Sequence, residues 1–437
     1  MIHEPLLFAG ISDFAGKIRG KAFPVADFDS RLRGGVGWTP TNVQISCFDV
    51  IGESPYGALG DLLMIPDRET EVRVDYEDDM PPEHWVLCHV KNLDGTPWEC
   101  CTRHILERAL ERLKAVAGLE LTVAFEHEFQ LLHANRPLGD AYALAGVRDQ
   151  SRFLATLMAA LGQADLEPET VMKEYGEDQY EVTVAPAPAL AAADASTTIK
   201  ELTRATALRF DDCATFTPML DPAGVGNGVH IHLSLRDDQG ASATYDEAGV
   251  GGLSASAAAF TAGVLRDLDA LVALTAPSVI SYSRLTPHRW SAAFNNLGIR
   301  DREAAIRICP VSPLKQTPIE DQFNIEFRAA DAAASPYLAL AAIVHAGCNG
   351  IEDGLSPVPP TEEDLSLLDA ESLAARGLHR LPTTLGDALD RLAENERLLR
   401  NFPIKFGDIY RAHKQAEIAH VDGMEEADMY AAYAAAY

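Results

Sequence analysis

Apolar and polar residues alternate with a period near two in much of the first hundred positions, then shift to a period near 3.6, which separates strand-rich from helix-containing sequence. Residues 1 to about 98 read as β-rich. NVQISCFDVI (42–51) and TEVRVDY (70–76) carry β-branched runs, and Gly, Pro and Asp punctuate the segments between them. DYEDDMPPEH (75–84) reads as a loop. The first clear helix is TRHILERALERLKAVAG, in which Ile105, Leu106, Ala109, Leu110 and Leu113 recur on one face and Gly118 ends the run.

Beyond it strands and helices mix. LTVAFEHEFQLL (121–132) and DQYEVTVAP (178–186) predict strands, while DQSRFLATLMAALG (149–162) and ASTTIKELTRATALRF (195–210) predict helices. APAPALAAADAS (185–196) reads as a connection and GLSPVPPTEEDL (354–365) as a late loop. SPYLALAAIVHAG (335–347) predicts a buried helix with Ser335 as its cap and Pro336 in its first turn. No internal repeat is visible.

Charge narrows the function classes. The formal net charge of -29 opposes binding to nucleic acid or an anionic membrane, both of which reward clustered Lys and Arg. An anionic small substrate would need arginines gathered locally. The seven cysteines form no Cys-x-x-Cys pair, and adjacent Cys100 and Cys101 are poorly placed for a disulfide, which points to a reducing cytoplasm. MIHEPLLFAGISDF does not read as a signal peptide, and no run reaches the length of a membrane span.

Four segments place ionisable residues close together in apolar sequence: Glu126 and Glu128 in AFEHEFQLL, His230 and His232 in GNGVHIHLSL, Glu326 and Arg328 in FNIEFRAAD, and Glu174 and Glu181 around YGEDQY. On a strand, residues two apart share a face, so each close pair faces a cleft while Phe125, Phe129, Ile231, Ile325 and Phe327 face the core. For one pair alone, a solvated strand face is the competing reading. If the five glutamates meet, their charges require protons or bound cations. An oxygen-rich set with an occasional imidazole suits Mg²⁺ or Mn²⁺ better than structural zinc. His127, on the apolar side, reads as a packed histidine. Arg284, Arg302, Arg307 and Arg328 supply guanidinium groups suited to carboxylate or phosphate. With the carboxylates they suggest phosphoryl transfer onto or near a carboxylate. GISDFAGKI lacks P-loop spacing, GVGNG does not continue as a dinucleotide fingerprint, and there is no Gly-x-Ser-x-Gly elbow.

The ordered pieces FEHEF, KEYGEDQYEV, GNGVHIHLSL, SYSRLTP, RDREAAIR, IEFRAADAAASPYLALAA and LPTTLGDALDRLAENERL resemble the glutamine synthetase family over most of the chain. The resemblance implies an α+β fold: an N-terminal β-grasp domain, residues 1–98, then a catalytic domain, residues 99–437, with an antiparallel sheet surrounded by helices. It also implies a homo-oligomer of stacked rings (a dodecamer) with the site between neighbours. By position, Glu128, Glu174 and Glu181 would hold one divalent cation, and Glu126, His230 and Glu326 a second. His232 and Ser234 would face ATP, with Glu169 nearby and Arg307 toward the nucleotide. Arg284, Arg328 and Gly226 would bind the acid substrate, Arg302 and Arg307 would steady the transferred phosphate, and Tyr142 would stand near the amine. The implied chemistry joins the γ-carboxylate of glutamate to an amine through an acyl phosphate, at the expense of ATP.

Several positions depart from the family pattern. Trp290 in TPHRWSAA replaces an acidic flap residue, and GVGWTPTN lacks an aspartate of the first domain. Ammonium needs acidic groups, whereas an indole suits a larger organic amine; the resemblance therefore points to the branch that makes γ-glutamylated amines. Packing of the flap is the other reading of Trp290. Val225 stands where the family has an asparagine, Asp321 and Asn324 replace basic residues near the nucleotide, and EEDLSLLDAES has no counterpart of the family's regulatory tyrosine. Ordinary glutamine synthetase, a metal-dependent hydrolase and a catalytically silent relative are the alternatives.

Overall fold

A computed structural model describes residues 3–132 and 140–437 of the chain. The alternating N-terminal segments pair as β1 (Leu6–Ser12), β2 (Ile18–Pro24), β3 (Val36–Trp38), β4 (Leu62–Pro66), β5 (Val72–Val74) and β6 (Glu83–Asn92). Their order is β2-β1-β6-β4-β3, with β5 also on β6, and β1 runs parallel to β6. Helix Phe28–Gly34 packs on this sheet through buried Phe28, giving the expected β-grasp-like layer.

One predicted strand is not there. Residues 42–51 run through a 3₁₀ helix, Pro40–Gln44, and a turn. Proline starts that helix, and buried Gln44 donates its side-chain N–H to the Ile409 carbonyl at 3.1 Å. The stretch thus packs against helix Phe406–Val421, where Phe48 stacks on His420, and its pairing is one isolated antiparallel bridge between Ile45 and Ile51. The predicted connection at 185–196 is likewise mostly helix. After the two-residue strand Ala187–Pro188, helix Ala189–Arg209 begins at once, because the alanines that follow the proline are the strongest helix formers available. The helix expected from Thr102 to Gly118 forms as Thr102–Ala117, with Gly118 left-handed at its end. Ser335 stands at the start of helix Pro336–Glu352 with Pro336 in its first turn, but the serine hydroxyl makes no capping bond.

The second sheet comprises β7 (Glu120–Leu131), β8 (Pro168–Lys173), β9 (Gln179–Val184), β10 (Ala187–Pro188), β11 (Ala214–Thr215), β12 (Val229–Arg236), β13 (Leu297–Ile299), β14 (Ile306–Ile308) and β15 (Ile325–Phe327). Its order is β13-β14-β15-β12-β7-β9-β8, with β10 and β11 on β7; only β13 and β14 pair in parallel. Helices Ala189–Arg209 and Thr102–Ala117 pack on β7, and buried helix Pro336–Glu352 packs against both of them. One side of the sheet is thus covered and the other is left for chemistry.

The two sheets are joined through buried polar groups. Arg103, 4% exposed, donates to both oxygens of Asp194 at 2.9 and 2.8 Å and to Asp67 at 3.1 Å, and the Tyr337 hydroxyl donates to Asp194 at 2.6 Å. Buried Lys200 donates to the Gly16 and Ala332 carbonyls at 3.2 and 3.0 Å. Removing one partner of such a pair strands the other without solvent. Arg103→Met is therefore expected to lose about 3 kcal/mol or more of stability, read as a lower urea midpoint at unchanged slope. A loss below about 1 kcal/mol would mean that water reaches Asp194.

Candidate active site

Strand register turns the alternating sequence into a row of ionisable groups. Glu128 stands opposite Glu181, Glu126 opposite His230, His232 opposite Glu326, and Glu326 opposite Arg307. Directly opposed residues share a face, so the row crosses five strands on the uncovered side. The other side carries Phe125, Phe129, Ile231, Ile325 and Phe327, none more than 3% exposed. His127 belongs to that apolar side as expected. Its Nε2 lies 2.8 Å from the Ser196 hydroxyl, and burial, followed by Lys200, pushes its pKa down to about 3.

The charges in the row are crowded. Ligating atoms of Glu126, Glu181 and His230 lie within 4.8 Å of one another, and two carboxylate charges such as Glu126 and Glu181 at that separation repel by roughly 3–4 kcal/mol at an effective dielectric near 20. This exceeds the net value of one ordinary hydrogen bond, about 1 kcal/mol. His230 Nδ1 lies 3.3 Å from Glu126 and 3.6 Å from Glu326, and His232 Nε2 lies 3.0 Å from Glu126. Burial works to raise Glu126, but the two histidines outweigh it and hold the carboxyl well below its usual range. Glu326 is 1% exposed; burial acts upward there too, yet His230 and Arg328 bring it to about 2. Among the described residues Glu181 forms no ion pair with Lys or Arg, and His230 nearby does not offset its surroundings. Burial, then Glu126, Glu128 and Glu174, push it up to about 9. An all-oxygen cluster that must otherwise hold a proton fits hard divalent cations such as Mg²⁺ or Mn²⁺.

Glu181 lies between the two expected ligand sets, across from Glu128 and close to Glu126 and His230. Glu128 accepts the Gly228 N–H at 2.7 Å, and Glu174 accepts the Tyr142 hydroxyl at 2.9 Å. The turn carrying Glu174 is held from beneath by buried Lys173, which donates to the Glu174 and Gly176 carbonyls at 2.8 and 2.6 Å.

The arginines stand at the edge of the carboxylates. Arg328 pairs with Glu326, donates Nε to the Arg302 carbonyl at 2.9 Å and Nη2 to the Trp290 carbonyl at 3.3 Å. Arg307 pairs with Glu326 at 3.0 Å. Arg284 is 3% exposed, donates to the Ala330 carbonyl at 2.8 Å and has no ion-pair partner among the described residues. Its guanidinium lies over Gly228, where any Cβ would collide with Nη2, and a Cβ on Gly226 would come within 2.7 Å of its Cδ. A buried guanidinium with an open side is a ready site for a carboxylate.

Not every expected residue joins the row. The Arg302 side chain is exposed and only its carbonyl touches Arg328. Glu169 is exposed at the irregularity of β8, at the far edge of the sheet, with no contact to the row among the described residues. Ser234, two residues beyond His232, donates to the Phe323 carbonyl at 3.4 Å. Trp290 is 65% exposed on the loop that follows Arg284. Glu303, which sequence reasoning missed, shapes that loop by accepting the N–H groups of His288 and Trp290 at 3.0 and 3.1 Å, both residues having positive φ. Gln179 was missed as well; its amide spans the Gly226 carbonyl at 2.9 Å and Asn227 at 3.0 Å. Both lie inside the motifs RDREAAIR and GEDQYEV, among other charged residues, so no signal in the sequence singled them out.

Comparison with known proteins agrees with this geometry. Residues 5–98 match the glutamine synthetase N-terminal domain and residues 99–431 the glutamine synthetase catalytic domain. Gamma-glutamylpolyamine synthetase GlnA3 of Streptomyces coelicolor is 32% identical over 435 residues, covering 96% of this chain and 91% of that one. The glutamine synthetase of Pyrococcus woesei is 31% identical over 91% of this chain and 86% of its own. Among solved structures, a novel glutamine synthase homolog superposes with a TM-score of 0.91 at 40% identity, covering 100% of this chain and 99% of that chain. A GmaS/ADP complex gives 0.83 at 26% identity, over 97% and 95%.

The Glu181 proton sets a pH dependence. Its folded pKa is raised, so it holds a proton up to about pH 9 that a cation must displace. Mn²⁺ affinity, measured by calorimetry on stripped protein, is expected to strengthen from neutral pH toward 9 with proton release. Glu181→Gln should bind more weakly and flatten that slope; an unchanged slope in the variant would assign the proton elsewhere.

Proposed function

We propose that this chain, which belongs to the glutamine synthetase family, is an ATP-dependent ligase that joins the γ-carboxylate of L-glutamate to an organic amine by way of γ-glutamyl phosphate. The observation that carries this reading is the single row in which Glu126, Glu128, Glu181, His230 and Glu326 meet Arg307 and Arg328 on one sheet face. The similarity to a gamma-glutamylpolyamine synthetase over nearly the whole chain supports it. The division into residues 1–98 and 99–437 belongs to the same reading, supported by the family matches at 5–98 and 99–431.

In this reading Arg284 and Arg328, with Gly226 closely packed beside Arg284, orient the acid so that its γ-carboxylate faces the γ-phosphate of ATP. Arg307 and Arg302 draw charge from the migrating phosphoryl group, and His232 and Ser234, with Glu169 farther out, face the nucleotide. Glu128, Glu174 and Glu181 would hold one Mg²⁺ or Mn²⁺, and Glu126, His230 and Glu326 another, supplying the positive charge that phosphoryl transfer needs. Tyr142, bound to Glu174, stands on the amine side. The amine then displaces phosphate from the acyl carbon, loses a proton and leaves an amide.

Trp290 selects the amine. Its indole is largely exposed on a loop whose backbone is held by Glu303 and Arg328, so it lacks the buried contacts that a packing role requires. Cation–π and apolar contact with an alkyl, aryl or polyamine substrate are worth about 1–2 kcal/mol, or roughly 5- to 30-fold in selectivity. A homo-oligomer of stacked rings, a dodecamer, and a cytoplasmic location complete the reading. The seven free cysteines support the location, and no helix among the described residues is long and apolar enough to cross a membrane.

Phosphate release from ATP, glutamate and a panel of amines tests the proposal. Organic amines are expected to exceed ammonium roughly tenfold or more in kcat/KM, and Trp290→Glu should move the preference toward ammonium. Equal use of ammonium would make the chain an ordinary glutamine synthetase; turnover without ATP would make it a hydrolase. Glu128→Ala should abolish amide synthesis with every amine.

A further inference from the structure

A second donor set of different chemistry lies at the edge of the carboxylate row. Cys309 directly follows β14 and Asn324 directly precedes β15, and the Cys309 N–H donates to the Asn324 carbonyl at 3.1 Å. Their side chains converge on His232: its Nδ1 lies 3.6 Å from Cys309 Sγ and 2.8 Å from Asn324 Oδ1. Glu326 Oε2 lies 3.8 Å from the same sulfur. Cys309 is 8% exposed, and His232, Cys309 and Glu326 offer ligand atoms within 4.8 Å of one another.

We propose that His232, Cys309 and Glu326, with the Asn324 amide oxygen beside them, form a binding site for a thiophilic divalent cation of the Zn²⁺ type. Bonds of about 2.3 Å to sulfur and 2.0–2.2 Å to nitrogen or oxygen, opened to a tetrahedral angle, place sulfur about 3.5 Å from its neighbours. The observed separations of 3.6 and 3.8 Å match without rearrangement of the backbone. A thiolate with an imidazole selects zinc, whereas the neighbouring glutamates select magnesium or manganese.

The surroundings accommodate the ion. In the present arrangement His232 Nδ1 donates to Asn324. With Nδ1 on the metal the ring proton sits on Nε2, 3.0 Å from Glu126 Oε1, and a carboxylate behind a metal-bound imidazole is a common outer support. Glu326 Oε2 accepts from Arg307 and has a second lone pair for the ion. Occupancy would withdraw His232 and Glu326 from the nucleotide and cation roles assigned above, so zinc would oppose turnover. The binding site itself does not depend on those roles.

Cobalt substitution in the metal-stripped, full-length chain tests the site. A single equivalent of Co²⁺ is expected to give thiolate-to-cobalt charge-transfer absorption that Zn²⁺ abolishes and excess Mg²⁺ does not. The band should vanish in Cys309→Ser and Cys309→Ala and persist in Cys213→Ser, which changes the exposed cysteine. In turnover with excess Mg²⁺, Zn²⁺ should inhibit the natural chain, and Cys309→Ser should weaken that inhibition about tenfold or more. No charge-transfer band in the natural chain, or equal zinc affinity in Cys309→Ser, would overturn the proposal. A band from a chain with no ligase activity would uphold the site and sink only the proposed function.

Discussion

Like charge gathered on one face of a sheet is the constraint around which this molecule is built. Glu126, Glu128, Glu181 and Glu326 are fixed opposite one another or opposite histidine and arginine by register, and a slip of one residue in any strand would turn its members into the core. The register is held from the other face. Phe125, Phe129, Ile231 and Phe327 are buried, and burial of each such side chain is worth about 1.5–3 kcal/mol. Four of them outweigh a repulsion of a few kcal/mol per close carboxylate pair, so the strands stay aligned while the carboxylates respond by protonation. The response is uneven because the neighbours differ. Glu126 and Glu326 have imidazole or guanidinium within reach and stay ionised, whereas at Glu181 burial and the charges of Glu126, Glu128 and Glu174 prevail despite His230 nearby, and it keeps a proton.

The same constraint links the row to the loop above it. Arg328 balances Glu326 through one nitrogen and holds the Trp290 and Arg302 carbonyls through two others. One guanidinium therefore positions the flap relative to the charged row. Arg289 extends the connection by donating Nη2 to the Pro222 carbonyl at 2.9 Å, tying the flap to the loop that carries Gly226. The Glu326 carboxylate and the backbone on which the indole stands thus share one partner.

Most of this arrangement was legible in the sequence, and the parts that were not share a physical cause. Period-two spacing in FEHEF and VHIHLSL gave both strands and the side each residue faces, including the packed His127, because a residue's side in a strand is a purely local property. The helix ending at Gly118 was legible for the same reason. Residues 42–51 misled because a β-branched run reports burial and not pairing; their partner is a helix more than 360 positions away, reached by Gln44. The alanine-rich 185–196 segment misled in the opposite direction, its prolines outweighing the helix propensity of Ala189–Ala193. Glu303, Gln179 and Cys309 act by contacts across loops, and no spacing rule announces those.

Glu169 and Arg302 mark where positional resemblance and geometry part company. Both are exposed, on an edge strand and on a loop, where the chain is free to vary without disturbing the carboxylate row. The strands must keep their register for the row to form, whereas Trp290 on the flap and Cys309 and Asn324 just outside β14 and β15 stand at its edges. In the proposed function and the proposed zinc site, a substitution at those edges would alter which amine or which cation is met without removing a neighbour from the crowded face. A thiol inside the row would replace an oxygen needed for a hard cation; one residue beyond it, beside His232, the thiol leaves that oxygen set complete. Hard and soft donors thus stand 3.8 Å apart, and in the proposed zinc site Glu326 is the one carboxylate they share.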